Sequence, residues 1–221
     1  MISIIIPTKN EPYINQLIED IHAKVKDEHE IIVVDKSDNP PKIARAKLLL
    51  QKTDGLGNAV LEGIKEATGK FVVMMDGDGS HDPEYINNML ARMNDSDIVI
   101  ASKYVPGGKT EDYASRVLVS RVFNAVIAWF LGLKVRDLMS GYAMFRKDIF
   151  EKIVLKPKGY KLLLEIVYKS KKVCNARVSE IPMHFLKRKA GKSKVGFGIS
   201  GFREVWRIFL ICMNLKFGKD I

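Results

Sequence analysis

The chain has 221 residues, 47% hydrophobic and 28% charged, enough apolar material for one larger domain and too much for a disordered chain. Two cysteines, Cys174 and Cys212, exclude a disulfide-stapled scaffold and offer no metal-ligand spacing. The net charge of +10 is uneven: residues 1–110 carry 13 Lys/Arg against 17 Asp/Glu, a balance of −4, whereas residues 111–221 carry 23 against 9, a balance of +14. The second half therefore calls for an anionic partner, a nucleic acid or an anionic membrane being the usual choices. The opening MISIIIPTKNEP has no basic leader and a short apolar run closed by proline, so it does not read as a signal peptide. No run of 18 uncharged apolar residues occurs, and no bilayer-spanning segment is expected.

Strand-like and helix-like segments alternate through the first half. Ile2–Ile6 is a β-branched strand closed by Pro7. Glu11 to about Lys26 places Ile14, Leu17, Ile18, Ile21 and Val25 on one helical face. A second strand, Glu30–Val34, ends at Asp35, and a loop follows at residues 37–41. Ile43–Leu50 fits helix or strand. Leu56–Thr68 is a predicted helix ended by Gly69, and Lys70–Met75 a third strand ending at Asp76. Asp82-Pro83 is expected to cap and open a helix to about Arg92. Asp97–Ser102 is a fourth strand. This order predicts an α/β fold with a mainly parallel, Rossmann-like sheet and helices on both faces.

The second half changes character. A loop with Pro106-Gly107-Gly108 precedes a helix over Ser115–Leu133, apolar from Val122 onward except Asn124. Asp137–Lys147 is a loop entering a strand, Lys161–Lys169 a helix, and Arg177–Lys187 a strand. A basic loop spans Arg188–Gly196, and an apolar tail runs from Phe197 to Phe217.

In open α/β sheets ligands bind beyond the carboxyl ends of the strands. Thr8-Lys9-Asn10-Glu11, Asp35, Asp76-Gly77-Asp78 and Lys103 all fall there. Each alone could be an ordinary polar loop, but four at one edge point to a site. Asp76 and Asp78, one residue apart after an apolar strand, can share a divalent cation, and hard oxygen ligands suit Mg²⁺ or Mn²⁺ bridging to phosphate oxygens. His81 is either a further ligand or a surface histidine beside a helix start. No P-loop and no G-x-G-x-x-G after the first strand is present. Five cations in Lys187–Lys194 could clamp a diphosphate, meet lipid headgroups, or form a solvated loop.

Taken together, Pro7-Thr8-Lys9-Asn10-Glu11, Val33-Val34-Asp35, Gly55-Leu56-Gly57-Asn58-Ala59, Asp76 to Glu84, Lys103-Tyr104-Val105, Ser140-Gly141-Tyr142 and Ser193-Lys194 resemble glycosyltransferase family 2. Within it they are most similar to the polyprenyl-phosphate sugar synthases of the dolichol-phosphate mannosyltransferase kind. The resemblance runs from residue 2 to about 196 and implies a GT-A fold that uses a nucleotide sugar and a divalent metal. It implies that Pro7, Lys9, Glu11, Val34 and Asp35 line the nucleoside site, with Asp35 reading the base. Asp76, Gly77 and Asp78 match the metal and diphosphate motif, with Asp76 and Asp78 as metal ligands. Lys103 stands where the family usually has an arginine on the donor phosphates, and Arg188 and Lys194 match the basic loop over the donor. Arg116 and Arg121 resemble arginines near the acceptor phosphate, and Ser140 and Gly141 a segment lining the sugar site. Lys9 and Lys36 depart from the usual P-T-Y/L-N-E and D-D patterns around the base pocket, and Ser80 from a common glutamine or leucine.

The reaction so implied is inverting transfer of a hexose, mannose from GDP-mannose, to a polyprenyl or dolichyl monophosphate. Its nucleophile is an ionised phosphate oxygen that needs positioning and no general base. Two alternatives stand beside it. One is transfer to a saccharide or glycolipid hydroxyl, with Glu111, Asp112 or Asp137 as base, each as easily read as a solvent-facing loop acid. The other is a nucleic-acid-binding protein, which rests only on the positive half and lacks a recognition motif.

Phe202, Val205, Trp206, Phe209, Leu210 and Met213 fall on one helical stripe with Arg203, Arg207 and Lys216 set around it. The reading is a catalytic domain over 1–196 and an amphipathic membrane-surface helix over 197–221, or else a helix docked on the domain. Val122–Leu133 is either core or a second interfacial helix. The usual membrane-spanning extension of the family is missing from the sequence. The expected setting is cytoplasmic, peripheral on the cytoplasmic face of a membrane, with no nucleic acid partner and with room for a membrane-anchoring partner subunit.

Overall fold

The computed structural model describes residues 1–156, 161–189 and 199–218, the side chains of 199–207 excepted. Seven strands form one sheet. In chain order its strands are β1 (Ile2–Thr8), β2 (His29–Asp35), β3 (Lys47–Leu50), β4 (Phe71–Met74), β5 (Ile98–Ser102), β7 (Ala143–Arg146) and β8 (Val178–Pro182). Their spatial order is β3-β2-β1-β4-β7-β5-β8, and only β7 runs antiparallel to its neighbours. Two short strands, β6 (Lys109–Thr110) and β9 (His184–Phe185), pair separately.

Every residue of β1 and β5 is buried, as strands with apolar side chains on both faces must be in a covered sheet. Helices cover both faces. The helices α1 (Ile14–Lys24) and α3 (Tyr85–Arg92) pack on one face, over Ile4, Ile6, Val33, Val73 and Met144. The other face carries α2 (Leu56–Glu66), α4 (Ala114–Leu131), α5 (Ile149–Lys152), α6 (Leu162–Cys174) and part of α7 (Ile199–Phe217), over Ile5, Val34, Val72, Ile100 and Phe145. This is the mainly parallel, doubly covered sheet that the sequence predicts.

Several boundaries differ from the sequence reading. Asp82 and Pro83 precede a turn, and α3 opens at Tyr85. Asp82 Oδ1 accepts the Glu84 N–H at 3.0 Å, which makes a local turn in place of a helix cap. The ambiguous Ile43–Leu50 resolves into the edge strand β3 at its last four residues. α6 runs to Cys174 and ends at Asn175 in the left-handed conformation (φ 49°). The single strand expected over Arg177–Lys187 is broken at the buried Met183. Its N–H donates to Ser102 O and its carbonyl accepts from Lys109 N, so the chain leaves the main sheet there for the small one.

The described side chains of the C-terminal helix include three that pack into the core. Ile208, Cys212 and Leu215 are buried in the core against α4 and α6, and Lys216 Nζ donates to Phe130 O at 2.6 Å. Of the expected stripe, Phe209 and Leu210 are about half exposed, and the side chains of Phe202, Val205 and Trp206 lie outside the described residues. A helix apolar nearly all round can dock one face and leave the other open. α4 does the same. Asn124, Ile127, Ala128 and Leu131 are buried, while Leu118, Val119, Val122, Val126 and Trp129 are exposed. Among the described residues α4 is also the one helix long and apolar enough to cross a membrane, which the search for uncharged runs missed because Arg116 and Arg121 interrupt it.

Candidate active site

The carboxyl ends of β1, β2, β4 and β5 open on one edge, and the parallel register brings their loops together. Pro7 pairs with Val34 and Thr8 with Asp35, and Met75 donates to Ile5 O. Asp76, Gly77 and Asp78 follow directly. Gly77 lies close against Thr8, where an added Cβ would be 3.0 Å from Thr8 Cγ2.

The two acidic residues sit in different surroundings. Asp78 is buried. Its Oδ1 accepts from Ser80 N at 3.0 Å and Ser80 Oγ at 2.6 Å, and its Oδ2 faces Arg188 Nε at 3.0 Å. Asp76 lies at the floor of the cleft, partly open to solvent yet ringed by protein. Burial, and then the charge of Asp78, push its carboxyl up to about 7. Gly141 stands over it, and a Cβ there would lie 2.9 Å from Asp76 Oδ2. The missing side chain leaves a cradle in front of the two carboxylates, of which Asp78 is paired with Arg188 and Asp76 is held high by burial. This donor set fits Mg²⁺ or Mn²⁺, with Asp76 and Asp78 as the residues that would hold it.

Of the two readings of His81, a further ligand or a surface histidine, the structure overturns the second. The residue is buried, its Nδ1 accepts the Asp76 N–H at 3.1 Å, and its ring stacks on Tyr142 with centroids 4.8 Å apart. Burial lowers its pKa to about 4, so it is neutral and serves to shape the turn. No group of three or more His, Cys, Asp or Glu placed to hold a metal occurs among the described residues.

The structure also gives positions for the other expected site residues. Pro7, Asp76, Ser140 and Gly141 line one small cavity with Leu56, Gly57 and the start of α6. Asp35 is buried and accepts three hydrogen bonds, from Thr8 Oγ1, Ser37 N and Ser37 Oγ, so it ties the β1 and β2 loops together. Glu11 is half-buried, its Oε1 accepting from Tyr13 N, and Lys9 is exposed. Val34 departs from expectation: its side chain is fully buried in the core under α2. The Ser140 hydroxyl turns inward and donates to Ala101 O at 2.8 Å, so it fixes the segment's backbone.

Lys103 lies over the Phe185 ring at 4.3 Å, with Nζ 3.8 Å from Asp112 Oδ2. Arg116 pairs with the other Asp112 oxygen at 3.5 Å, and Arg121 stacks on Tyr104 at 5.4 Å, so both arginines flank the Lys103 side of the cleft. Glu111 accepts from Lys187 N. Lys194 lies outside the described residues.

Sequence reasoning read Asp137 as readily as a solvent-facing acid. It is buried. Lys103 N donates to its Oδ2 at 3.3 Å, and its Oδ1 has no hydrogen-bond partner among the described residues. Burial pushes its carboxyl up to about 6 against the opposing charge of Lys103. Its backbone and that of Arg136 donate to Glu180, and Asn124 Oδ1 holds Leu138 N, which fixes the loop. The clue in the sequence was position: Asp137 stands three residues before the Ser140-Gly141 segment.

Comparison with known proteins gives the family and the fold. The profile of Glycosyl transferase family 2 matches residues 3–154. The dolichol-phosphate mannosyltransferase of Pyrococcus furiosus is 36% identical over 219 residues, covering 88% of this chain and 59% of its own length. The undecaprenyl-phosphate mannosyltransferase of Micrococcus luteus is 34% identical over 155 residues, covering 67% of this chain and 63% of its own. The polyprenol monophosphomannose synthase of Mycolicibacterium smegmatis is 30% identical over 213 residues, covering 87% and 80%. The chain thus spans about three fifths of the first two relatives. Among solved structures, glucosyl-3-phosphoglycerate synthase from Mycobacterium tuberculosis, in complex with Mn²⁺, UDP-glucose and phosphoglyceric acid, superposes with a TM-score of 0.70 at 18% identity. That match covers 97% of this chain and 78% of the other and supports the GT-A fold. The chain belongs to glycosyltransferase family 2.

Proposed function

We propose that the protein is a polyprenyl-phosphate hexosyltransferase that moves mannose from GDP-mannose to a polyprenyl or dolichyl monophosphate with inversion. The observation that carries this reading is the adjacent Asp76 and Asp78 carboxylates beneath Gly141 at the carboxyl edge of the sheet, with Arg188 paired to Asp78 and Lys103 nearby. The relatives named for mannosyl transfer to dolichol phosphate, undecaprenyl phosphate and polyprenol phosphate support the sugar and the acceptor.

A divalent cation held by Asp76 and Asp78 supplies neutralisation of the leaving diphosphate. The chain's own groups do the rest. Pro7, Glu11 and Asp35 shape the nucleoside end, Asp35 through the loops it ties. Lys103 and Arg188 bring positive charge to the donor phosphates, and Arg188 can do so bidentately. Arg116 and Arg121 orient the acceptor phosphate. That phosphate is a dianion above a pKa of about 6 and attacks without a base once oriented and stripped of water.

The membrane side is formed by α4 and α7. Leu118, Val119, Val122, Val126 and Trp129 of α4, with Phe209, Leu210 and Phe217 of α7, leave apolar side chains uncovered on two helices joined through Phe130. A polyprenyl tail costs about 0.8 kcal/mol per CH₂ moved into water, so the enzyme must meet the lipid at the surface. We place it on the cytoplasmic face, held by this apolar side and by the positive second half.

One observation favours a second reading. The orphan Oδ1 of Asp137, on a carboxyl titrating near 6, suits a general base for transfer to a hydroxyl. Presenting polyprenyl phosphate and hydroxyl acceptors in one reaction, with wild type and Asp137→Asn, separates the two. Phosphate transfer that survives the substitution supports the first reading. Hydroxyl transfer that is lost with it supports the second.

A further inference from the structure

We infer that Arg188 and the divalent cation exchange places on Asp78: the guanidinium neutralises the carboxylate while the metal is absent and gives it up when the metal arrives. The inference rests on the metal reading of Asp76 and Asp78 given above.

Both Asp78 oxygens are committed. Oδ1 takes the two hydrogen bonds from Ser80, and Oδ2 takes Arg188 Nε at 3.0 Å. The acid is 6% exposed at its side chain and the arginine 40%, so the pair joins a fixed buried carboxylate to a cation with room to leave. A cation seated on Oδ2 cannot share that oxygen with a guanidinium at contact distance without like charges meeting.

The basic segment does not depend on this ion pair for its position. Leu186 N donates to Ser80 O at 3.1 Å and Lys189 N to Asp78 O at 3.0 Å, both through backbone. Lys189 Nζ donates to Tyr13 OH at 2.7 Å and lies 4.8 Å over the Tyr13 ring, while Tyr13 OH donates to Asp20. Gly79, at φ +77°, lets Tyr13 and Lys189 close over the turn, where an added Cβ would be 2.8 Å from the Tyr13 ring. Residues 186–189 are therefore stitched to the Asp76–Ser80 turn by two backbone hydrogen bonds and to Tyr13 by the Lys189 side chain, and none of these contacts uses the Asp78 carboxylate. Arg188 can turn away while its neighbours stay. Freed at this edge, its guanidinium would be within reach of a donor diphosphate bound at the same carboxylates. One residue thus fills the site when it is empty and serves the donor when it is loaded. Because the two events share Asp78, they are linked: metal and Arg188 oppose each other, and the diphosphate relieves the opposition.

The test is Mn²⁺ binding by the full chain without donor, followed by electron paramagnetic resonance or calorimetry, for wild type, Arg188→Ala, Lys189→Gln and Asp78→Asn. Thermal melts confirm that each variant is folded. Arg188→Ala should bind Mn²⁺ about fivefold more tightly or better, the low end of ordinary site coupling. Lys189→Gln removes an equal charge from the same segment without touching Asp78, and should change affinity by less than about twofold. With Mn²⁺ saturating, Arg188→Ala should bind nucleoside diphosphate more weakly. Unchanged or weaker Mn²⁺ affinity in Arg188→Ala overturns the exchange, as does an equal gain in Lys189→Gln, which would reduce the effect to general charge. Wild-type Mn²⁺ affinity in Asp78→Asn would instead overturn the metal reading itself.

Discussion

A side-chain carbon at position 141 would lie 2.9 Å from Asp76 Oδ2, so the absence of a side chain at Gly141 is what keeps the Asp76 carboxylate in its place on the cleft floor. Gly141→Ala should push that carboxylate aside. The expected result is a loss of Mn²⁺ affinity of about tenfold or more, comparable to the loss of a ligand-orienting contact, with a stability change under about 2 kcal/mol. Mn²⁺ titration and a denaturant melt of the same sample check both halves.

Asp78→Asn keeps the shape of the turn, since an amide oxygen can still accept from Ser80, but removes the charge. Transfer should fall about 100-fold or more, the scale on which removal of a charge-stabilising element acts. Rates measured over a range of Mn²⁺ concentrations check it. Full activity in Asp78→Asn, or in excess EDTA, contradicts the assignment.

Asp137 sets a pH dependence of stability. Burial raises its carboxyl from the ordinary 3.8 to about 6 in the folded chain. The folded state therefore holds its proton more tightly than the unfolded state, and stability falls as pH rises from about 4 to about 6. Above that window the buried charge costs up to about 3 kcal/mol, from about 1.36 kcal/mol per pH unit. Asp137→Asn should be more stable than wild type at pH 8, and its advantage should shrink toward pH 4. Chemical denaturation at the two pH values checks this; an advantage larger at pH 4 would contradict it.

Trp129 is 82% exposed on α4, so Trp129→Glu leaves the core intact while putting a charge on the apolar side. Binding to liposomes that contain anionic lipid should fall about tenfold or more, the equivalent of about 1.4 kcal/mol, with donor affinity unchanged. Flotation at low and high salt measures the first and calorimetry with nucleoside diphosphate the second. Removing the whole of α7 is a poorer probe, because Ile208, Cys212 and Leu215 belong to the core.

The parts of this molecule that local physics dictates were legible in the sequence. β-branched runs bounded by Pro7, Asp35 and Asp76 marked the strands, and the placement of polar residues after each of them marked the cleft. What could not be read depends on the partners that tertiary packing supplies. The antiparallel β7 inserts between β4 and β5, and nothing in Ala143–Arg146 names those neighbours. His81 and Asp137 sit in polar stretches that suggest solvent, yet Tyr142 and Phe185 close over one and the Lys103 segment over the other. Ser140 matched the right segment, but the direction of its hydroxyl follows from the Ala101 carbonyl behind it. For α7 the apolar residues run nearly all round the helix, so periodicity alone could not choose which face docks.

The most direct measurement of the proposed function is a transfer assay. The full chain is incubated with Mn²⁺, a short-chain polyprenyl monophosphate and, in separate reactions, GDP-mannose and other nucleoside diphosphate hexoses, and products are analysed by mass and anomeric configuration. The account predicts a mannosyl polyprenyl phosphate from GDP-mannose, with inverted configuration, lost in EDTA and in Asp78→Asn. Transfer to hydroxyl acceptors with none to the phosphate, or phosphate transfer that persists without metal, would contradict it.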